Sequence, residues 1–208
     1  MRPMVEVGVF ALVLAAAGGY LLGSVPFGLV LTRLAGLGDL RQIGSGNIGA
    51  TNVLRTGRKG LALATLLLDS GKGAIAAVGA LLLAGPQAAL VAGLFAVLGH
   101  NFPVWLNMKG GKGVATTLGV LLATSPAVGV LACLVWLAVA WFLHYSSLSA
   151  LVALTLAPLF ALAFGDMDQA LVYAVLAVLA LIRHRANIER LLAGTEPRID
   201  LKKKFKKP

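Results

Sequence analysis

The chain has 208 residues, 59% of them hydrophobic and only 12% charged, with a mean hydropathy of +0.89. A soluble domain of this size carries roughly a quarter charged residues, so the composition excludes a water-soluble globule and describes an all-α protein that crosses a membrane repeatedly. The net charge of +10 on so apolar a chain points to lipid headgroups or anionic substrates and away from nucleic acid.

The N-terminal stretch MRPMVEVGVF opens a long apolar run without a small-residue cleavage site, which predicts a retained first span. That run, Val5 to Leu34, exceeds the roughly 20 residues a span needs, and SVPFG at 24–28 predicts a kink or a non-membrane extension at its end. A polar, glycine-rich stretch from Gly36 to Gly60 follows. Further apolar segments run over Leu61–Ala84, Gln87–Leu98, Val114–Thr124, Ala127–Leu143, Leu148–Phe164 and Gln169–Ile182. Charge supports counting them as seven spans. With the N-terminus outside, every Lys and Arg except Arg2 then falls on one face, and the opposite turns hold only Gly85-Pro86, Ser125-Pro126 and GDMD. Merging either Pro-divided pair alone would scatter the basic loops over both faces, against the positive-inside rule.

The predicted architecture is therefore one polytopic domain over 1–200, with its C-terminus cytoplasmic, followed by a basic tail, LKKKFKKP at 201–208, that would clamp anionic lipid headgroups. The third and fourth spans are short, roughly 17 to 18 Å at 1.5 Å per residue. Either their flanking motifs continue the helix or a non-helical loop dips into the membrane, and both options predict a polar notch on the cytoplasmic side.

Polar residues gather in three islands on that side. In the first, IGSGNIGATNVLRTGRKG at 43–60, glycines such as Gly46 permit close backbone approach. Ser45, Asn47, Thr51 and Asn52 offer hydrogen bonds there, and Arg55 and Arg58 offer cationic forks for phosphate. In the second, GHNFPVWLNMKGGKGVATT at 99–117, Lys109 and Lys112 flank Gly110 and Gly111 just before a helix start. Backbone N–H groups and the positive end of the helix dipole would point at the same anion as the lysines. It is not a Walker loop, because Gly113 stands where Ser or Thr would hold Mg²⁺. In the third, RHRANIERLLAGTEPRI at 183–199, helical spacing puts His184 with Asn187 and Arg185 with Glu189, so Glu189 is expected to brace a basic segment. Asp69 and Lys72, three apart within the second span, are expected to pair and brace the bundle. HYSSLS at 144–149 offers Ser146 or Ser147 to a polar ligand, and His100, His144 and His184 all fall on the same face.

Several chemistries are unsupported. No carboxylate or histidine cluster has metal-ligand spacing, and the lone Cys133 allows neither an internal disulfide nor a cysteine-held metal, so no metal or cofactor is expected. No G-x-S-x-G is present for a serine hydrolase. GSGNIG at 44–49 fits the dinucleotide pattern, but it follows a membrane span and no β-α-β pattern surrounds it.

GSGNIGATNVLR, GHNFPVWLNMKGGKGVAT and HRANIERLLAGTE, in this order with LDSGKG between the first two, resemble the bacterial acyl-phosphate:glycerol-3-phosphate acyltransferase family, PlsY. These blocks cover about a third of the chain. The resemblance implies transfer of a fatty acyl group from acyl phosphate to the 1-hydroxyl of glycerol 3-phosphate, giving lysophosphatidic acid and inorganic phosphate, at the cytoplasmic face of the bacterial inner membrane. By position it implies that Ser45 and Arg55 are needed for activity and that Lys109, Gly110, Gly111, Lys112 and Gly113 form the glycerol-3-phosphate loop. It likewise implies that His184 and Asn187 bind substrate or act in catalysis, that Glu189 is structural and that His100 contacts a phosphate. Ile48 departs from the family pattern, which often has Pro there. The competing class is a transporter for an anionic phosphate compound, against which stand the lack of inverted repeats and of polar groups on the outer face.

Overall fold

The computed structural model describes residues 8–199, so the basic tail lies outside the described residues. Every regular element among them is helical. The chain runs through α1 (Val9–Gly23), α2 (Phe27–Leu34), a short α3 (Ala50–Leu54), α4 (Lys59–Ala84), α5 (Pro86–Asn101), α6 (Val114–Thr124), α7 (Pro126–Leu143), α8 (Ser146–Phe164), α9 (Met167–Arg183) and α10 (Arg185–Leu192). Five segments, with Val9–Leu34 taken as one, are long and apolar enough to cross a membrane; α9 and α10, bent by 62°, make a sixth if counted together. The α6 helix, with 11 residues, is apolar but shorter.

Helix ends follow the punctuation in the sequence. Pro26 cannot donate to the turn before it and restricts Val25, and the break between α1 and α2 falls there. At this break the Val25 carbonyl accepts hydrogen bonds from Phe27 N–H at 3.1 Å and from Lys72 Nζ at 2.7 Å. Pro86 and Pro126 each occupy the first position of a helix, where the missing N–H has no partner to lose. The two short spans differ. The α5 helix runs from Pro86 to Asn101, so that GHN extends the apolar run by three residues at its C-terminal end. Ahead of α6, residues 107–113 are not helical.

The bundle inverts the soluble pattern. Phe10, Leu82, Leu83, Trp141 and Phe142 face outward, while Val97, Val120, Leu121, Leu154, Tyr173 and Leu176 form the buried core. Because lipid is as apolar as those outward side chains, close backbone packing must hold the helices together. Gly19 and Gly23 of α1 lie against Ala92 and Ala96 of α5; a Cβ on them would stand 2.2 Å and 2.0 Å from the facing carbonyl oxygens. On α6, Gly119 approaches Ser70 of α4 equally closely. A second cluster, Leu29, Leu40, Val53 and Ala62, fastens α2, α3 and α4 beneath the first polar island.

Candidate active site

Antiparallel succession brings the C-terminal ends of α5 and α9 and the N-terminal ends of α4, α6 and α8 to one end of the bundle, and the three polar islands meet there. The first and the α7–α8 turn touch through Thr51 Oγ1 and Ser146 Oγ, 3.1 Å apart. The second and third are joined twice. Lys112 Nζ donates to Asn187 Oδ1, and Arg183 donates to the Gly110 and Gly111 carbonyls at 2.9 Å each while stacking on Phe102.

The KGGKG loop is built for an anion. Its entry is fixed by Gly110 N–H donating to the Asn101 carbonyl (3.1 Å) and Gly111 N–H to the His100 carbonyl (3.0 Å). Gly113, left-handed at φ 77°, caps α6. From Lys112 to Thr116 no backbone N–H has an acceptor among the described residues until Thr117 N–H reaches the Gly113 carbonyl. That run of free donors at a helix start, with its dipole, attracts negative charge. Burial pushes the Lys112 ammonium down to about 8; Glu196 opposes this, while Arg190, Arg55 and Arg183 reinforce it. Arg55 is half-buried, packs over Gly44 and is lowered from its usual range by burial, with Glu196 and Arg190 as its charged neighbours. Lys109 is exposed and its side chain makes no hydrogen bond among the described residues.

His184 is buried at the α9–α10 junction, with Nδ1 2.8 Å from the Ala180 carbonyl. A carbonyl only accepts, so Nδ1 carries the proton and Nε2 of the neutral ring presents a lone pair. Asn187 is oriented at both ends of its amide: Oδ1 accepts from Lys112, and Nδ2 donates to Glu196 Oε1 at 2.6 Å.

The geometry bears on four of the expected roles. Glu189 pairs with Arg185 at 3.1 Å, but the side chains are 64% and 86% exposed, and such a pair contributes little. The bracing acid is Glu196, which sequence reasoning passed over. Its buried carboxylate accepts from Ser147 (2.7 Å), Asn187 and Arg190 (2.7 Å). Burial pushes it up, yet the hydrogen bonds from Ser147, Asn187 and Arg190 outweigh this and leave it below the usual carboxylate value. Ser147, expected at a ligand, is committed to Glu196. Asn52 is equally committed: its Nδ2 reaches the Leu40, Ile43 and Asn47 carbonyls at 2.8 to 3.1 Å, and its Oδ1 accepts from Ser45 N–H at 3.0 Å. It organises the GSGNIG loop and leaves Ser45 exposed at its tip, beside Gly46. Asn47 Oδ1 closes its own turn on Ile48 N–H.

His100, expected at a phosphate, is 4% exposed and lies beneath the KGGKG loop. Its neighbours are Lys72 and Asp69, whose Nζ and Oδ1 stand 2.9 Å apart, with His100 Nδ1 3.7 Å from the same oxygen. No group of three metal-ligating side chains exists among the described residues.

An integral membrane bundle that gathers arginine, lysine and free backbone donors at one polar end, around the buried carboxylate of Glu196, is an anion-handling membrane protein. Its family follows from comparison. The glycerol-3-phosphate acyltransferase family profile matches residues 13–194. A glycerol-3-phosphate acyltransferase of Rhodospirillum rubrum is 64% identical, over 98% of this chain and 96% of its own. One of Paramagnetospirillum magneticum is 68% identical, over 93% and 96%. The crystal structure of PlsY, an integral membrane glycerol 3-phosphate acyltransferase in its glycerol 3-phosphate form, is 42% identical with a TM-score of 0.86, over 91% of this chain and 96% of that one. The lysophosphatidic acid form matches with a TM-score of 0.85 and 40% identity. The chain belongs to the PlsY-type glycerol-3-phosphate acyltransferase family.

Proposed function

We propose that the chain transfers a fatty acyl group from acyl phosphate to the 1-hydroxyl of glycerol 3-phosphate at the cytoplasmic face of a bacterial inner membrane, with seven spans and the N-terminus outside. The observation that carries this is the convergence of Arg55, Lys112 and Arg190 with the free N–H groups of residues 112–116. Both substrates carry phosphate, and charge-assisted donors of this kind hold it.

In this scheme the KGGKG loop and Lys109 hold glycerol 3-phosphate, while Ser45, Gly46, Asn47, Thr51 and Arg55 close over the second phosphate. The 1-hydroxyl oxygen attacks the acyl carbon, the bond from that carbon to the phosphate oxygen breaks, and inorganic phosphate departs. Proximity supplies up to about 7–11 kcal/mol of the barrier, and Arg55 and Lys112 stabilise the charge on the leaving phosphate. The hydroxyl proton passes to His184 Nε2 or to a substrate phosphate oxygen, and Asn187, locked between Lys112 and Glu196, orients the reacting groups. An open groove of about 410 Å³ lined by Phe102, Ile182, Arg183 and Arg185 offers an amphiphile an approach from the bilayer side.

Reconstituted in liposomes, the protein is expected to release phosphate from acyl phosphate only when glycerol 3-phosphate is present. Uptake of glycerol 3-phosphate without release would indicate a transporter and overturn the assignment.

A further inference from the structure

We propose that His100 is a positioning residue for the KGGKG loop, acting through the backbone of Gly111 and not by touching a phosphate; this rests on the loop being the glycerol-3-phosphate site.

The imidazole spans the gap between α4 and the loop. On one side its Nδ1 faces Asp69 Oδ1 at 3.7 Å. On the other, its edge lies so close to Gly111 that a Cβ there would stand 2.2 Å from Nε2, 3.0 Å from Cδ2 and 3.2 Å from Cε1. The backbone of His100 also accepts the Gly111 N–H, so one residue meets the loop through both its main chain and its ring. Arg183 in turn holds the Gly110 and Gly111 carbonyls. The loop is thus clamped by a guanidinium and an imidazole, and the donors of residues 112–116 are aimed by that clamp. The next residue repeats the arrangement: buried Asn101 lies under Gly113, where a Cβ would stand 2.7 Å from its Oδ1. His100 itself is too deeply covered by Gly111 to reach an anion above the loop. Gly111 is not left-handed, so alanine there is excluded by the ring and not by its own backbone.

The geometry makes a specific demand of paired substitutions. Gly111→Ala drives a methyl into the ring of His100, and His100→Ala removes that ring, so the double variant should be better than Gly111→Ala alone. Independent sites would instead multiply their defects. In detergent-purified protein, His100→Ala is expected to raise the KM for glycerol 3-phosphate about tenfold while leaving the KM for acyl phosphate within about twofold. It should also leave the pH profile unmoved. Gly111→Ala should lower kcat/KM about 100-fold, and the double variant should recover at least about fivefold of that. His100→Gln, which keeps a polar group of similar reach toward Asp69, should restore most of the lost affinity and serves if the alanine variant does not fold. Multiplicative defects, or a shifted pH limb in His100→Ala or His100→Gln, would overturn the proposal in favour of direct phosphate or proton chemistry. Hydrogen exchange at the Gly110 and Gly111 amides separates this from the reaction itself. Faster exchange there in the His100 variants, with α1 unchanged, supports the clamp even if wild-type protein releases no phosphate, in which case only the substrate assignment fails. Unchanged exchange overturns the clamp.

Discussion

Burial holds Lys112 at about 8, so its charge changes close to physiological pH. The charged form binds phosphate, and in free enzyme it dominates below about 8. Since kcat/KM reports groups of the free enzyme, kcat/KM for glycerol 3-phosphate should fall as pH rises through about 8. A bound phosphate favours the ammonium, so the corresponding limb in kcat should lie at higher pH. Lys112→Arg keeps its charge throughout this range and should lose the limb, even if its rate is lower because a guanidinium cannot reproduce the contact to Asn187. Steady-state rates between pH 6.5 and pH 9.5 decide the matter; an unchanged alkaline limb in Lys112→Arg would assign the titration to another group.

At the scale of elements, residues 194–199 form a strap that folds back from α10 onto the α7–α8 turn. Ile199 N–H donates to the His144 carbonyl at 2.6 Å, and Arg198 Nε donates to Tyr145 Oη at 3.1 Å. Glu196 is its inward anchor, and removing a buried acceptor of this kind costs about 1–3 kcal/mol. Glu196→Gln keeps an oxygen for Ser147 and Asn187 but loses both the charge and the acceptor that Arg190 uses, whereas Glu196→Ala loses all three contacts. Thermal unfolding and acyl transfer should therefore both rank wild type above Gln above Ala. Wild-type behaviour in the alanine variant would remove the strap from the site.

The strap also shows where the sequence stops being legible. Apolar runs and their Gly-Pro and Ser-Pro boundaries were readable because each helix must bury its own backbone hydrogen bonds and proline marks where it cannot. The polar blocks were readable because charge is costly in an apolar chain, and the structure brings all three to one end. Arg185 and Glu189 looked like a brace because their spacing is local, but spacing carries no information on exposure. The role of Glu196 depends on the chain turning back across Ser147, Asn187 and Arg190, contacts that no periodicity encodes. The commitment of Asn52 to three loop carbonyls and the burial of His100 under Gly111 were hidden for the same reason. The continuation of α5 through GHN was one of two readings left open, because hydropathy falls at Gly99 while the helix runs on to Asn101.

At the scale of the molecule, the orientation in the membrane is the property on which the whole functional scheme depends, and α9 provides a ruler for it. Its N-terminus carries the acidic turn GDMD, and its C-terminus carries Arg183, which grips the KGGKG loop. Asp168 and the KGGKG loop held by Arg183 therefore lie toward opposite ends of a 17-residue helix, about 25 Å long at 1.5 Å per residue. Positive charge resides at the loop end, and under the positive-inside rule the proposed orientation has that end in the cytoplasm. Because Cys133 is the only native cysteine, a Cys133→Ser background gives each introduced thiol a single signal. With a membrane-impermeant maleimide, Asp168→Cys should label in intact cells, and Lys109→Cys only after permeabilisation. The reverse pattern would place the site outside, away from any cytoplasmic acyl phosphate. Labelling of both from one side would show that α9 does not cross, leaving the polar islands without a common face.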